Sequence, residues 1–94
     1  MTNQPRLRVT NIQDYLAFQR DTEAQNPIDA HVAVCIRTRR LLLRMGEEML
    51  ALRLGVNLRQ LQAYEAGTQR VSGAHLVSIA DILDVSISYF FKDL

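Results

Sequence analysis

Apolar positions recur at helical spacing from residue 27 onward. Val32 and Ile36, four apart, give a predicted helix over 27–44 its inner side. Leu50, Ala51 and Leu54 form an apolar face over 47–54, and Leu61 and Tyr64 form another over 58–66. Leu76, Ile79, Ala80 and Leu83 fall at i, i+3, i+4 and i+7 of a further helix. Polar caps punctuate the pattern. Asn26 precedes Pro27, with Asp29 at the positive end of the first helix. Asn57, Ser72 and Ser86 open the later ones, the last a short helix over 87–91, and Gly67 closes 58–66. Within 47–66 the spacing is that of a helix-turn-helix: small Ala51 where two helices meet, Gly55 four positions on, and branched Leu61 six beyond it. Gly55 tolerates a positive φ at the turn without a Cβ penalty.

Upstream the pattern changes. RLRVT (6–10) alternates and predicts a short strand. Asn11 with Asp14 three residues on predicts a helix over 11–24, with Ile12, Tyr15 and Leu16 on one face. Asn26-Pro27 therefore divides an N-terminal arm (1–26) from an all-α helix-turn-helix domain (27–94).

Ninety-four residues make one domain, and 48% hydrophobic residues suffice for a core without metal or disulfide. The single cysteine, Cys35, excludes an internal disulfide and suits a reducing cytosol. No apolar run approaches the ~20 residues of a membrane span, and MTNQPRLRVT lacks an apolar signal core. A cytoplasmic location is the expectation. Net charge is only +1, a thin footprint for a nucleic-acid binder. His31 and His75 lack metal-ligand spacing. No nucleophile–base pair, phosphate-binding Gly loop or carboxylate pair points to catalysis or to a cofactor.

The segments I36-R37…R40, L50-A51…L54-G55-V56…L61-Q62-A63-Y64-E65-A66-G67-T68 and L76…I79-A80…L83-D84-V85-S86 resemble the XRE (Cro/CI-type) helix-turn-helix family over about residues 31–92. The resemblance implies a five-helix, lambda-repressor-like domain that binds operator DNA, usually as a homodimer, here with an N-terminal extension. It places Asn57, Leu58, Arg59, Gln60, Gln62 and Ala63 on the exposed face of the recognition helix. The inward demands of Leu61 and Tyr64 agree. Arg59 suits guanine, and Gln60 or Gln62 suits adenine. The resemblance puts Thr68, Gln69 and Arg70 near phosphates, and matches Arg40 and Glu65 to a pair that often forms an inward-facing salt bridge. Arg44, with Arg37, Arg39 and Arg40, lies on a basic helix face that is either simply solvated or meets phosphate.

The departures thin the cationic footprint. Gly46-Glu47 stands where the family usually has Ser/Thr-Gln, and a carboxylate repels phosphate. Ala63 and Ala66 replace common basic residues, as do Val34 and Cys35. Losing such contacts lowers affinity and its salt slope together.

The function expected is a transcriptional regulator, its dimer addressing two half-sites ~34 Å apart. Val85, Ile87, Tyr89, Phe90, Phe91 and Leu94 are more apolar surface than the domain is expected to bury, and predict the dimer interface. The alternative is a protein-interaction module that keeps the fold with weakened DNA binding, as an antiactivator or an antitoxin. An apolar patch across the recognition helix, including Leu58, would favour it. A positive stripe through Arg44, Arg59 and Arg70 would favour DNA.

Overall fold

Asn11 opens the first helix as the capping pattern requires. Its Oδ1 accepts from the Asp14 backbone N–H at 2.9 Å, and the Asp14 carboxylate reaches back to the Thr10 backbone N–H at 3.2 Å. Two orphan donors are satisfied reciprocally. In this computed structural model residues 9–21 and 27–94 are described, with only the backbone for 18–21. Helix α1 spans Ile12–Asp21. Most of the strand expected over 6–10 lies outside the described residues, and Val9 and Thr10 are not in a strand.

The elements that follow are α2 (Pro27–Leu42), α3 (Glu47–Leu54), α4 (Leu58–Ala66), α5 (Gly73–Ile82) and a 3₁₀ helix, Ile87–Phe91. The fold is all-helical among the described residues. Two expectations are corrected at the ends. Helix α2 stops at Leu42 rather than Arg44 because Arg44 takes a left-handed conformation, φ 55°, while Met45 N–H bonds the Arg40 carbonyl at 3.1 Å. This is a Schellman-type end. The last helix is 3₁₀, and Ser86 spends its hydroxyl on Ser88 Oγ (2.9 Å) rather than on a cap.

The turn between α3 and α4 follows the predicted chemistry. Gly55 sits at φ 82° and its N–H bonds the Ala51 carbonyl at 2.9 Å. Asn57 Oδ1 then accepts from the Gln60 backbone N–H at 2.7 Å, which fixes the start of α4. Gly67 ends α4 at φ 74°, and a Cβ there would lie 3.5 Å from the Ala30 backbone. The end of α4 is thereby pressed onto α2.

The core joins all elements: Val32 and Ile36 of α2, Leu50 and Ala51 of α3, Leu61 and Tyr64 of α4, Leu76 and Ile79 of α5, then Leu83, Phe90 and Phe91. Helix α1 completes it. Val9 and Tyr15 are fully buried, Tyr15 Oη donates to the Val71 carbonyl at 2.7 Å, and its ring lies 5.5 Å from that of Phe91. Leu16, expected on the same face, is exposed instead. Arg39 of α2 clamps the far end of α5, its Nε donating to the Leu83 carbonyl at 2.9 Å. A cation there also complements the negative end of the helix.

The covering by α1 corrects part of the expected dimer surface. Phe90 and Phe91 are core residues of the protomer, because α2 packs against their 3₁₀ helix and Tyr15 of α1 adds apolar cover that residues 27–94 alone would lack. Val85, Ile87 and Tyr89 are half-buried, and only Leu94 of that set is exposed.

Candidate nucleic-acid interface

Helix α4 is held by one face and bare on the other. Leu61, Tyr64 and Glu65 are buried, and at 100° per residue the opposite face centres on Arg59, Ala63 and Ala66. Arg59 and Ala66 are exposed and Ala63 is half-buried. Arg59 is thus the long side chain on a ridge otherwise made of methyl groups. Leu58, 36% exposed, stands at the first helical position, where an apolar side chain can meet a thymine methyl.

The two glutamines flank this ridge on opposite sides. Gln62 is exposed and faces α3, its Nε2 3.5 Å from Glu47 Oε1. Gln60 is half-buried on the α5 side, its Nε2 donating to Tyr64 Oη at 3.0 Å. Asn57 remains exposed, but its side-chain oxygen is committed to the cap. A shallow groove beside the ridge is lined by Arg37, Arg40, Leu41, Glu47, Gln62, Glu65 and Ala66.

Arg40 and Glu65 lie beneath the groove and hold α2 to α4. Arg40 Nε and Nη2 donate to the two Glu65 carboxylate oxygens at 2.7 and 2.9 Å, and Nη1 donates to the Met45 carbonyl at 2.8 Å. The side chains are 8% and 5% exposed. The hydrogen bonds to Glu65 raise the Arg40 pKa above its ordinary value against the opposing effect of burial, with the negative charges of Glu65 and Glu47 adding to the rise. This pair is structural, a bidentate fork in a dry site.

The remaining expected phosphate contacts divide. Arg44 is exposed at the α2–α3 turn, and Thr68 and Gln69 are exposed after α4, with Thr68 Oγ1 3.3 Å from the Ala63 carbonyl. Arg70 is corrected: its Nε donates to both oxygens of Asp29 at 3.1 and 3.2 Å, and its side chain is 12% exposed. A guanidinium so placed fastens the loop after α4 to the start of α2, and the expected stripe through Arg44, Arg59 and Arg70 loses its last member. Asp29 looked like a helix-dipole residue from sequence; only the fold brings it to Arg70, 41 residues away. Tyr64 was likewise missed as the partner of Gln60, and His75 as the partner of Tyr64. The i, i+4 spacing of Gln60 and Tyr64 was the available signal, whereas His75 arrives from another helix. Cys35 lies 3.4 Å from His31 Nε2; burial pushes its thiol pKa up, Asp93 adds to the rise and Lys92 opposes it. Such a thiol is a weak nucleophile.

Among the described residues no helix is long and apolar enough to cross a membrane. A family model described as helix-turn-helix matches residues 36–90. A protein of Sinorhizobium medicae described as an uncharacterised HTH-type transcriptional regulator is 48% identical over 68 residues, which are 72% of this chain and 49% of the relative. A protein of Rhodospirillum rubrum described as an uncharacterised transcriptional regulator in the ATPase CF(0) region is 46% identical over 74 residues, 79% of this chain and 68% of the relative. A Rickettsia conorii protein described as an uncharacterised HTH-type transcriptional regulator is 39% identical over 67 residues, 71% of this chain and 54% of the relative. The chain spans about half the length of the first of these. No solved structure gives a significant match. The matched residues contain both helices of the turn, the Arg40–Glu65 pair and the Ser72-capped helix, and the chain belongs to the helix-turn-helix family, in its XRE (Cro/CI-type) branch.

Proposed function

We propose that the protein is a DNA-binding transcriptional regulator that inserts α4 into the major groove of an operator. The observation that carries this reading is the bare face of α4. A capped helix N-terminus, a single projecting arginine and a ridge of alanines form a narrow wedge that a groove ~12 Å wide accommodates. Arg59 reads guanine, Leu58 contacts a thymine methyl, and Arg44, Thr68, Gln69 and the backbone at the two turns lie to either side, where phosphates would run. Relatives described as transcriptional regulators support the same function.

The test is a duplex selection with the full chain followed by salt-titrated binding. Arg59→Ala should weaken the selected site by ~1–3 kcal/mol and relax one base position. Equal binding of Arg59→Ala and the parent protein to every base at each position would remove Arg59 from the readout.

Assembly as a homodimer completes the proposal, since two half-sites need two copies of α4. With Phe90 and Phe91 buried, the surface left for it comprises Val85, Ile87, Tyr89 and Leu94, with Val77 exposed on the outer side of α5. Leu94→Asp is expected to shift a concentration-dependent dimer toward monomer in sedimentation velocity. A monomer at every concentration of the parent protein would remove this part of the reading.

A second reading, a protein-interaction module, has one observation in its favour. Leu41 and Leu42 at the end of α2 and Met49 and Leu52 on α3 are exposed, more apolar side chains than scattered surface residues explain. They lie on α2 and α3, and Leu41 reaches the groove beside α4, so a partner there would compete with DNA at that edge.

A further inference from the structure

A glutamine amide is two-faced. Its carbonyl accepts and its NH₂ donates, and half a turn about the last torsion exchanges them. A free glutamine therefore suits several base edges. Gln60 is not free. Its backbone N–H is held by Asn57 Oδ1 at 2.7 Å and its Nε2 by Tyr64 Oη at 3.0 Å. Tyr64 Oη in turn lies 2.7 Å from His75 Nδ1. Tyr64 is buried, and its ring meets the imidazole edge-on at 5.8 Å. His75 is fixed from behind, its backbone N–H donating to Ser72 Oγ at 3.1 Å.

The hydroxyl of Tyr64 has one proton, and that fact orders the chain. The tautomer of His75 sets the direction: an Nδ1–H would send the proton to Gln60, whereas with Nδ1 as acceptor it goes to the imidazole. The lone pairs of Oη are then left for an N–H, and the amide of Gln60 must present its nitrogen to Tyr64 and its oxygen away from it. We infer that Tyr64 and His75 are positioning residues that set the amide of Gln60 for adenine. Of the two protons on Nε2, one is spent on Tyr64. The other stands beside Oε1, the donor–acceptor edge that matches N7 and the N6 amine of adenine. The reversed amide, which would offer donors to the paired acceptors of guanine, needs the other tautomer, with His75 Nδ1–H donating to Tyr64 and Tyr64 donating to Oε1. This inference rests on α4 being the reading helix.

Two arms test it, one without DNA. In the free full-length protein, the side-chain NH₂ of Gln60 is expected to be ordered by NMR relaxation. In Tyr64→Phe, which keeps the ring in the core, its order parameter should fall below about 0.6, the flexible range. An amide equally ordered in Tyr64→Phe overturns the positioning. With DNA, the operator position at which Gln60→Ala loses discrimination is substituted by all four bases. Tyr64→Phe should lower the preference for adenine over guanine there by roughly tenfold, with the salt slope and the other positions unchanged. His75→Leu, which offers the hydroxyl no acceptor, should behave like Tyr64→Phe, while His75→Gln, which restores one, should keep the preference. A uniform loss of affinity across the four bases, with the preference intact, would make both residues merely structural and overturn the proposal. If no duplex is selected at all, the DNA reading and the base selectivity fall together, while the relaxation arm still decides whether Tyr64 orders the amide.

Discussion

Replacing Glu65 by Ala is expected to lower the unfolding free energy by about 3–5 kcal/mol, because it strands a buried guanidinium. For a domain of this size that is a fall in Tm of more than about 12 °C. The expectation follows from geometry rather than from the presence of an ion pair. Surface pairs contribute ~0–1 kcal/mol, but here both carboxylate oxygens are engaged, and three donors of Arg40 go to Glu65 and to the Met45 carbonyl. The pair therefore also holds the Schellman-type end of α2 and the turn into α3. Arg40, its pKa raised, stays charged. A cation with a raised folded-state pKa contributes its full stability below the unfolded value and loses it only as pH rises through the folded one. On the Arg40 side the contribution thus persists to strongly alkaline pH. Thermal denaturation of Glu65→Ala beside the parent protein checks this, and an unchanged Tm would mean that the fork does not form.

The second large effect lies outside the helix-turn-helix. Tyr15→Ala is expected to cost about 3–5 kcal/mol, the range for removing a buried aromatic, and Tyr15→Phe about 1 kcal/mol for the lost hydrogen bond to Val71. Tyr15 is fully buried between the loop that precedes α5 and the 3₁₀ helix, so its removal opens a cavity beside Phe91. Urea unfolding of the three proteins, compared at constant m, is the measurement. Identical midpoints for Tyr15→Ala and the parent protein would place α1 off the core.

Local signals carried most of the fold. Asn57, Ser72, Gly55 and Gly67 are legible because a cap or a left-handed turn depends on residues a few positions away, and each does in the structure what its neighbours dictate. The α2 end was misplaced by two residues because Arg44, not a glycine, takes the left-handed position. Contacts between distant segments were not legible. Nothing near Arg70 in sequence announces Asp29, and nothing near Phe91 announces Tyr15. Counting apolar residues over 85–94 therefore overestimated the surface left for a partner. The Arg40–Glu65 pair was the exception, and it was reached through a family resemblance rather than through spacing.

The bond from Tyr15 to Val71 spans 56 residues. At synthesis rates of about 5–20 residues per second, Tyr15 leaves the ribosome's catalytic centre roughly 3–11 s before Val71 is made. Helix α1 is thus made seconds before the segments it packs on, and for those seconds Val9 and Tyr15 have no α5 to cover them. A slow codon run between α1 and α5 would lengthen that interval and the time for which the Tyr15 ring lacks its partners.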